Sequence, residues 1–111
     1  MDSMNTFCQS LRETVMNKAN TYWSFEGDSI MNDAIAKWGI DSQILVAIGE
    51  CGELLAQLGR KAQGRVVIAD LVDEIADVTI MMRQLALIYD VDGVEERIRF
   101  KLNRLKDRLE A

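Results

Sequence analysis

The chain has 111 residues, 49% of them hydrophobic and 28% charged, with a formal net charge of −5. This length suits one domain with its own core, and the composition excludes a disordered chain, a membrane span of about 18 apolar residues and a general nucleic-acid binder, which would need a positive surface. Histidine is absent, which removes Ser-His-Asp and Cys-His catalysis, imidazole zinc sites and Glu-x-x-His di-iron sites. Proline is absent as well, so nothing interrupts a long helix.

Residues 5–20 are loosely amphipathic, with Phe7, Leu11, Val15 and Met16 at helical spacing. The run Tyr22-Trp23-Ser24-Phe25-Glu26-Gly27 gathers aromatics and a glycine and is predicted to be a helix end or bend. Asp28 or Ser29 is the expected cap of a short helix carrying Ile30, Ala34, Ile35 and Lys37, stopped after Trp38 by a left-handed Gly39. Asp41 or Ser42 then opens a helix with Ile44, Leu45, Ile48, Cys51, Leu54, Leu55 and Leu58 as its apolar residues. Its predicted end is Gly59-Arg60-Lys61, where basic residues suit a helix C-terminus. Residues 62–65 read as a loop. The β-branched triplet Val66-Val67-Ile68 is too short for a strand and has no partner run, so it leads into a long helix from Ala69 to Tyr89. Asp92-Gly93-Val94-Glu95 is a capping-box variant opening the last helix.

In that last helix Val94, Ile98, Leu102, Leu105 and Leu109 form an apolar stripe. Arg97, Lys101, Arg104 and Arg108 repeat it one residue earlier or about 100° round the axis. From Arg97 to Arg108 six basic residues face one acid, so this helix is a local cationic element in an anionic protein. The prediction is an all-α bundle of four to five helices in a single domain spanning residues 1–111. Cys8 and Cys51 are far apart and form no Cys-x-x-Cys pair, and Met1 to Ser10 lacks a basic stretch followed by an apolar block. Both point to reduced thiols and a cytoplasmic location, without membrane attachment.

Four carboxylates stand where a core helix would not place them. Glu50 and Glu53 are three residues apart, so they share one helix face, and Ile48, Cys51, Leu54 and Leu55 flank them. Glu74 and Asp77 repeat the arrangement among Leu71, Ile75, Val78 and Met81. A short loop makes the two helices antiparallel neighbours, which lets the pairs face each other. One Glu-x-x-Glu alone marks a solvated face. Two such pairs set among apolar residues leave two readings open: acids that border the core, or ligands for a hard divalent ion, Mg²⁺ or Mn²⁺. Beside a cationic helix the second reading suggests a phosphate substrate, with Lys101 and Arg104 meeting its remaining charge. Tyr22, Trp23 and Trp38 are either core aromatics or a stacking surface for a nucleobase.

The order Glu50-Cys-Gly-Glu53 then Glu74-Ile-Ala-Asp77 resembles the ExxE…ExxD signature of the all-α nucleotide pyrophosphohydrolases. That superfamily includes MazG, the dimeric dUTPases, the dCTP pyrophosphatases and phosphoribosyl-ATP pyrophosphohydrolase. Lys37-Trp38-Gly39, Gln43, Asp73 and Lys101-x-x-Arg104-Leu105 fit the MazG-like branch, and the resemblance runs from about Ala34 to Leu109. Gly49 departs from it, because many relatives carry a further glutamate there. The resemblance implies Mg²⁺-dependent hydrolysis of (deoxy)nucleoside triphosphates between the α and β phosphates, as nucleotide-pool house-cleaning. It implies Glu50, Glu53, Glu74 and Asp77 as metal ligands, with Glu50 orienting the water. Lys37, Trp38, Lys61, Lys101 and Arg104 become candidate substrate-binding residues, in a homodimer or homotetramer. The competing readings are phosphoribosyl-ATP hydrolysis and a non-catalytic helical partner protein.

Overall fold

A computed structural model describes residues 25–111 of the chain, which fall into two units divided after Lys37. The predictions for residues 5–20, for Cys8 and for Tyr22, Trp23 and Ser24 fall outside the described residues. Four helices make up almost all of the rest: α1 (Phe25–Trp38), α2 (Ile40–Ala62), α3 (Ile68–Tyr89) and α4 (Val91–Glu110). The described part of the fold is all-α, as its sequence periodicity predicts.

The ends of α1 and α2 differ from the expectation in instructive ways. Phe25, Glu26 and Gly27 were expected at a bend and instead form the first turn of α1. Asp28 and Ser29 therefore lie inside the helix rather than capping it. Glu26 and Asp28 still serve that end, because carboxylates in a first turn complement the unpaired N–H groups there. α2 begins at Ile40, before Asp41 and Ser42, because the Gly39 carbonyl already accepts from the Gln43 N–H at 3.1 Å. Gly39 has the expected positive φ (87°), but its ψ of 154° is extended rather than left-handed helical, a combination open essentially to glycine alone.

α2 runs through Gly59 and ends at Ala62 in a Schellman motif. Arg65 N–H donates to the Arg60 carbonyl at 2.8 Å and Gly64 N–H to the Lys61 carbonyl at 3.0 Å, while Gly64 takes φ of 71°. Val67 is the extended residue before α3, so the β-branched triplet does lead into a helix. The short connection lays α2 and α3 antiparallel against each other, and this is the main packing within residues 38–111. α4 leaves α3 through Asp90, whose carboxylate accepts from the Gly93 N–H at 3.0 Å. Asp90 is thus the cap, two residues before the expected Asp92, which lies in the first turn. Beyond that corner α4 buries no residue.

The α2–α3 seam has an unusual make-up. At the seam positions of α2 stand Gln43, Ala47, Glu50 and Leu54, and on α3 Glu74, Asp77, Met81 and Gln84. Ala47 and Met81 are buried, and so are both glutamines. Large aliphatic residues point the other way: Leu45, Ile48 and Leu55 on α2 and Ile68, Val72 and Ile75 on α3 are all exposed, Leu55 by 71%.

Candidate functional site

Helix geometry brings three of the four predicted carboxylates together. Glu74 and Asp77 are one turn apart on the seam face of α3, and Glu50 meets them from α2. One oxygen from each lies within 4.8 Å of the others, and all three side chains are half-buried. Glu53 stands one turn further along α2, exposed, and is not one of the three.

The grouping is electrostatically costly, and protonation equilibria carry the cost. Glu74 is pushed up from 4.5 to about 7, first by a side-chain hydrogen bond with Glu50 and then by loss of hydration. The charges of Glu50, Asp77 and Glu53 add to the shift, so Glu53 is felt at the cluster without joining it. Asp77 is also raised, chiefly by burial and then by the charges of Glu50 and Asp73. Glu74 Oε1 is sealed from solvent without a hydrogen-bond partner. A carboxylate oxygen in that state lacks a donor or a cation. Three carboxylates with no nitrogen or sulfur ligand match a hard divalent ion, so the residues present fit Mg²⁺ or Mn²⁺.

Within residues 38–111 the predicted cations Lys61, Lys101 and Arg104 are placed elsewhere. Lys61 is exposed in the last turn of α2, eleven residues or ~16 Å along the axis from Glu50. Lys101 lines an open groove of about 440 Å³ at the α3–α4 corner, with Tyr89, Val94 and Ile98 as its apolar wall. That corner begins at Tyr89, twelve residues or ~18 Å along α3 beyond Asp77. Arg104 is exposed further along α4, and neither it nor Lys101 forms an ion pair among the described residues. Arg97 stacks on Phe100, its guanidinium carbon 4.5 Å from the ring centre. Trp38 and Lys37 end α1, both exposed.

Two features near the site escape a reading of motifs. Arg83 on α3 pairs with Glu95 on α4 at 2.9 Å and ties the corner together. Gln84 is buried with its Oε1 unpartnered. The only signal for Gln84 is its spacing, since a polar residue seven places after Asp77 falls on the same helix face. Compared with known protein families, with curated proteins and with solved structures, the chain finds no match in any of the three.

Proposed function

We propose that the chain is a MazG-like nucleoside triphosphate pyrophosphohydrolase, cleaving the α–β phosphoanhydride to give a nucleoside monophosphate and pyrophosphate. The observation that carries this reading is the convergence of Glu50, Glu74 and Asp77 around the sealed oxygen of Glu74. Those three residues would hold Mg²⁺, with Glu53 adding negative charge at the rim. The bound ion supplies charge neutralisation for phosphate oxygens and acidifies water.

Glu50 is assigned to orient and deprotonate the attacking water. Its carboxylate lies within 4.8 Å of those of Glu74 and Asp77, so it stands at the cluster where it can take up the proton that the water loses. The water oxygen forms the new bond to the α phosphorus, and the bridging P–O bond breaks with its electrons leaving on pyrophosphate. The half-buried seam limits bulk water around these groups, which strengthens each charge interaction.

The cations on α4 belong to the same proposal through assembly. One copy leaves Leu45, Ile48 and Leu55 of α2 and Leu102, Leu105 and Leu109 of α4 in water. Apolar surface of that extent marks an interface, and we assign it to a homodimer or homotetramer. In that assembly Lys101 and Arg104 of one copy are the groups that meet phosphate charge at a neighbour's carboxylates. No described helix is long and apolar enough to cross a membrane, which accords with a nucleotide-pool enzyme of the cytoplasm.

The test is pyrophosphate release from a panel of canonical and modified (deoxy)nucleoside triphosphates and phosphoribosyl-ATP. Each is assayed with and without Mg²⁺, beside a Glu50→Gln variant. Release is expected only with the ion, reduced by about 10²–10⁴ in the variant. Release from phosphoribosyl-ATP alone would move the chain to that reaction. No release from any compound would leave a non-catalytic helical partner protein.

A further inference from the structure

Gln84 is 5% exposed and its Oε1 is sealed from solvent with no partner. A buried carbonyl oxygen without a donor is destabilising, and folded proteins keep few of them. Its position relative to the carboxylates follows from helix geometry. Gln84 lies seven residues after Asp77 on α3, two turns or ~10 Å along the same face. Gln43 lies seven residues before Glu50 on antiparallel α2, which is the same distance in the same direction along the seam, and it is 6% exposed. Two buried amides therefore stand at one level of the seam, two turns from the carboxylates. Gln43 does not donate to Gln84, since Oε1 of Gln84 accepts from nothing.

Within the proposed reaction, on which this step rests, the substrate has two ends. Its phosphates sit at the carboxylates, and its base must lie somewhere a nucleotide's length away. We infer that Gln84 is a specificity-determining residue. When the seam parts to admit the base, its Oε1 accepts a hydrogen bond from an N–H on the edge of the base, an exocyclic amine or a ring imide, with Gln43 as the second polar wall. A glutamine that makes no bond in the free chain has its full hydrogen-bonding capacity left for a ligand. A site built around such an acceptor rejects a base lacking the donor more strongly than any apolar pocket could, because the acceptor would stay buried and unpaired.

The experiment uses the full chain, the best triphosphate of the panel and the same nucleotide with its base-edge N–H groups methylated. The proteins are wild type, Gln84→Leu and the longer Gln84→Met, which guards against poor packing of leucine. Wild type should prefer the unmethylated nucleotide by about 10⁴-fold in kcat/KM, and both variants should lose most of that preference by losing the good substrate. Thermal melts of the nucleotide-free proteins supply the second readout. Since no bond is lost, the variants should melt at or above the wild-type temperature. A lower melting temperature for both variants would make Gln84 a structural residue and overturn the inference. So would an unchanged preference in variants that still turn over. Wild type that hydrolyses no triphosphate overturns the reaction and this assignment together. Turnover with a preference indifferent to Gln84 overturns this assignment alone.

Discussion

The α2–α3 seam and helix α4 are built on opposite plans. In the seam, two amides and three carboxylates occupy the inner positions while leucine and isoleucine face water. In α4 the apolar and basic stripes run side by side and neither is covered. Folding alone favours neither plan: buried acids lose hydration, and a lone amphipathic helix gains little by standing free. The seam holds polar groups together at a cost in stability, which suits a site. α4 leaves burial unfinished, which suits a surface completed by another copy.

The sharpest way to separate the two plans is to alter each and read both metal response and assembly. Glu50→Gln removes a repelling charge from the cluster, so the metal-free variant should melt above wild type. It should also lose the rise in melting temperature that Mg²⁺ gives the wild type. With the ion at a hundred times its dissociation constant, that rise corresponds to about 2.7 kcal/mol. Native mass should be unaffected. A full Mg²⁺ response in the variant would remove the cluster from the metal site.

The reciprocal change is Leu102→Glu on α4, a residue 58% exposed in one copy. Sedimentation should show wild type as a dimer or tetramer and the variant shifted to monomer, with a melting temperature that no longer depends on protein concentration. A monomeric wild type would end the assignment of α4 as an interface. It would also leave Lys101 and Arg104 with no carboxylates to serve.

A smaller effect separates the regions by pH. The Glu74 carboxyl is raised to about 7 in the folded chain against 4.5 as its ordinary value, so between those values the folded state holds a proton that the unfolded state has released. Stability from this group is full below about 4.5 and is lost as pH rises through 7. Metal-free wild type should therefore melt higher at pH 5.5 than at pH 8, by a margin that shrinks in Glu50→Gln. Mg²⁺ should remove the difference, because the ion replaces the proton. An unchanged margin in Glu50→Gln would place the source of the pH dependence outside the cluster.

The sequence made most of this contrast legible, and for a physical reason. Period and spacing are local, so the helices, the antiparallel pair and the shared faces of Glu50 with Glu53 and Glu74 with Asp77 follow from residue order alone. Which of two same-face acids joins a cluster depends on the rotation of each helix about its axis, and spacing does not encode that. Hence Glu50 is in and Glu53 is out. Caps went astray for a similar reason. Several acids near a boundary can serve a helix end, and Asp90 was chosen over Asp92 by the backbone path through the corner. Gln84 was invisible because a glutamine within an apolar pattern looks the same whether it is bonded or orphaned.

The smallest expected effect lies where the two plans meet. Arg83 on α3 and Glu95 on α4 are paired at 2.9 Å, with Arg83 largely covered and Glu95 nearly half exposed. Solvent reaching Glu95 screens the pair, so a double-mutant cycle with Arg83→Met and Glu95→Gln should give a coupling of only about 0.5 kcal/mol. Its interest lies in geometry rather than strength. α4 touches α3 only near the corner, so a contact four residues into α4 has leverage over the direction of everything beyond it. Breaking the pair should therefore weaken self-association by more than it lowers the stability of one copy. Equal losses in both would mean that the pair holds the corner closed without aiming α4.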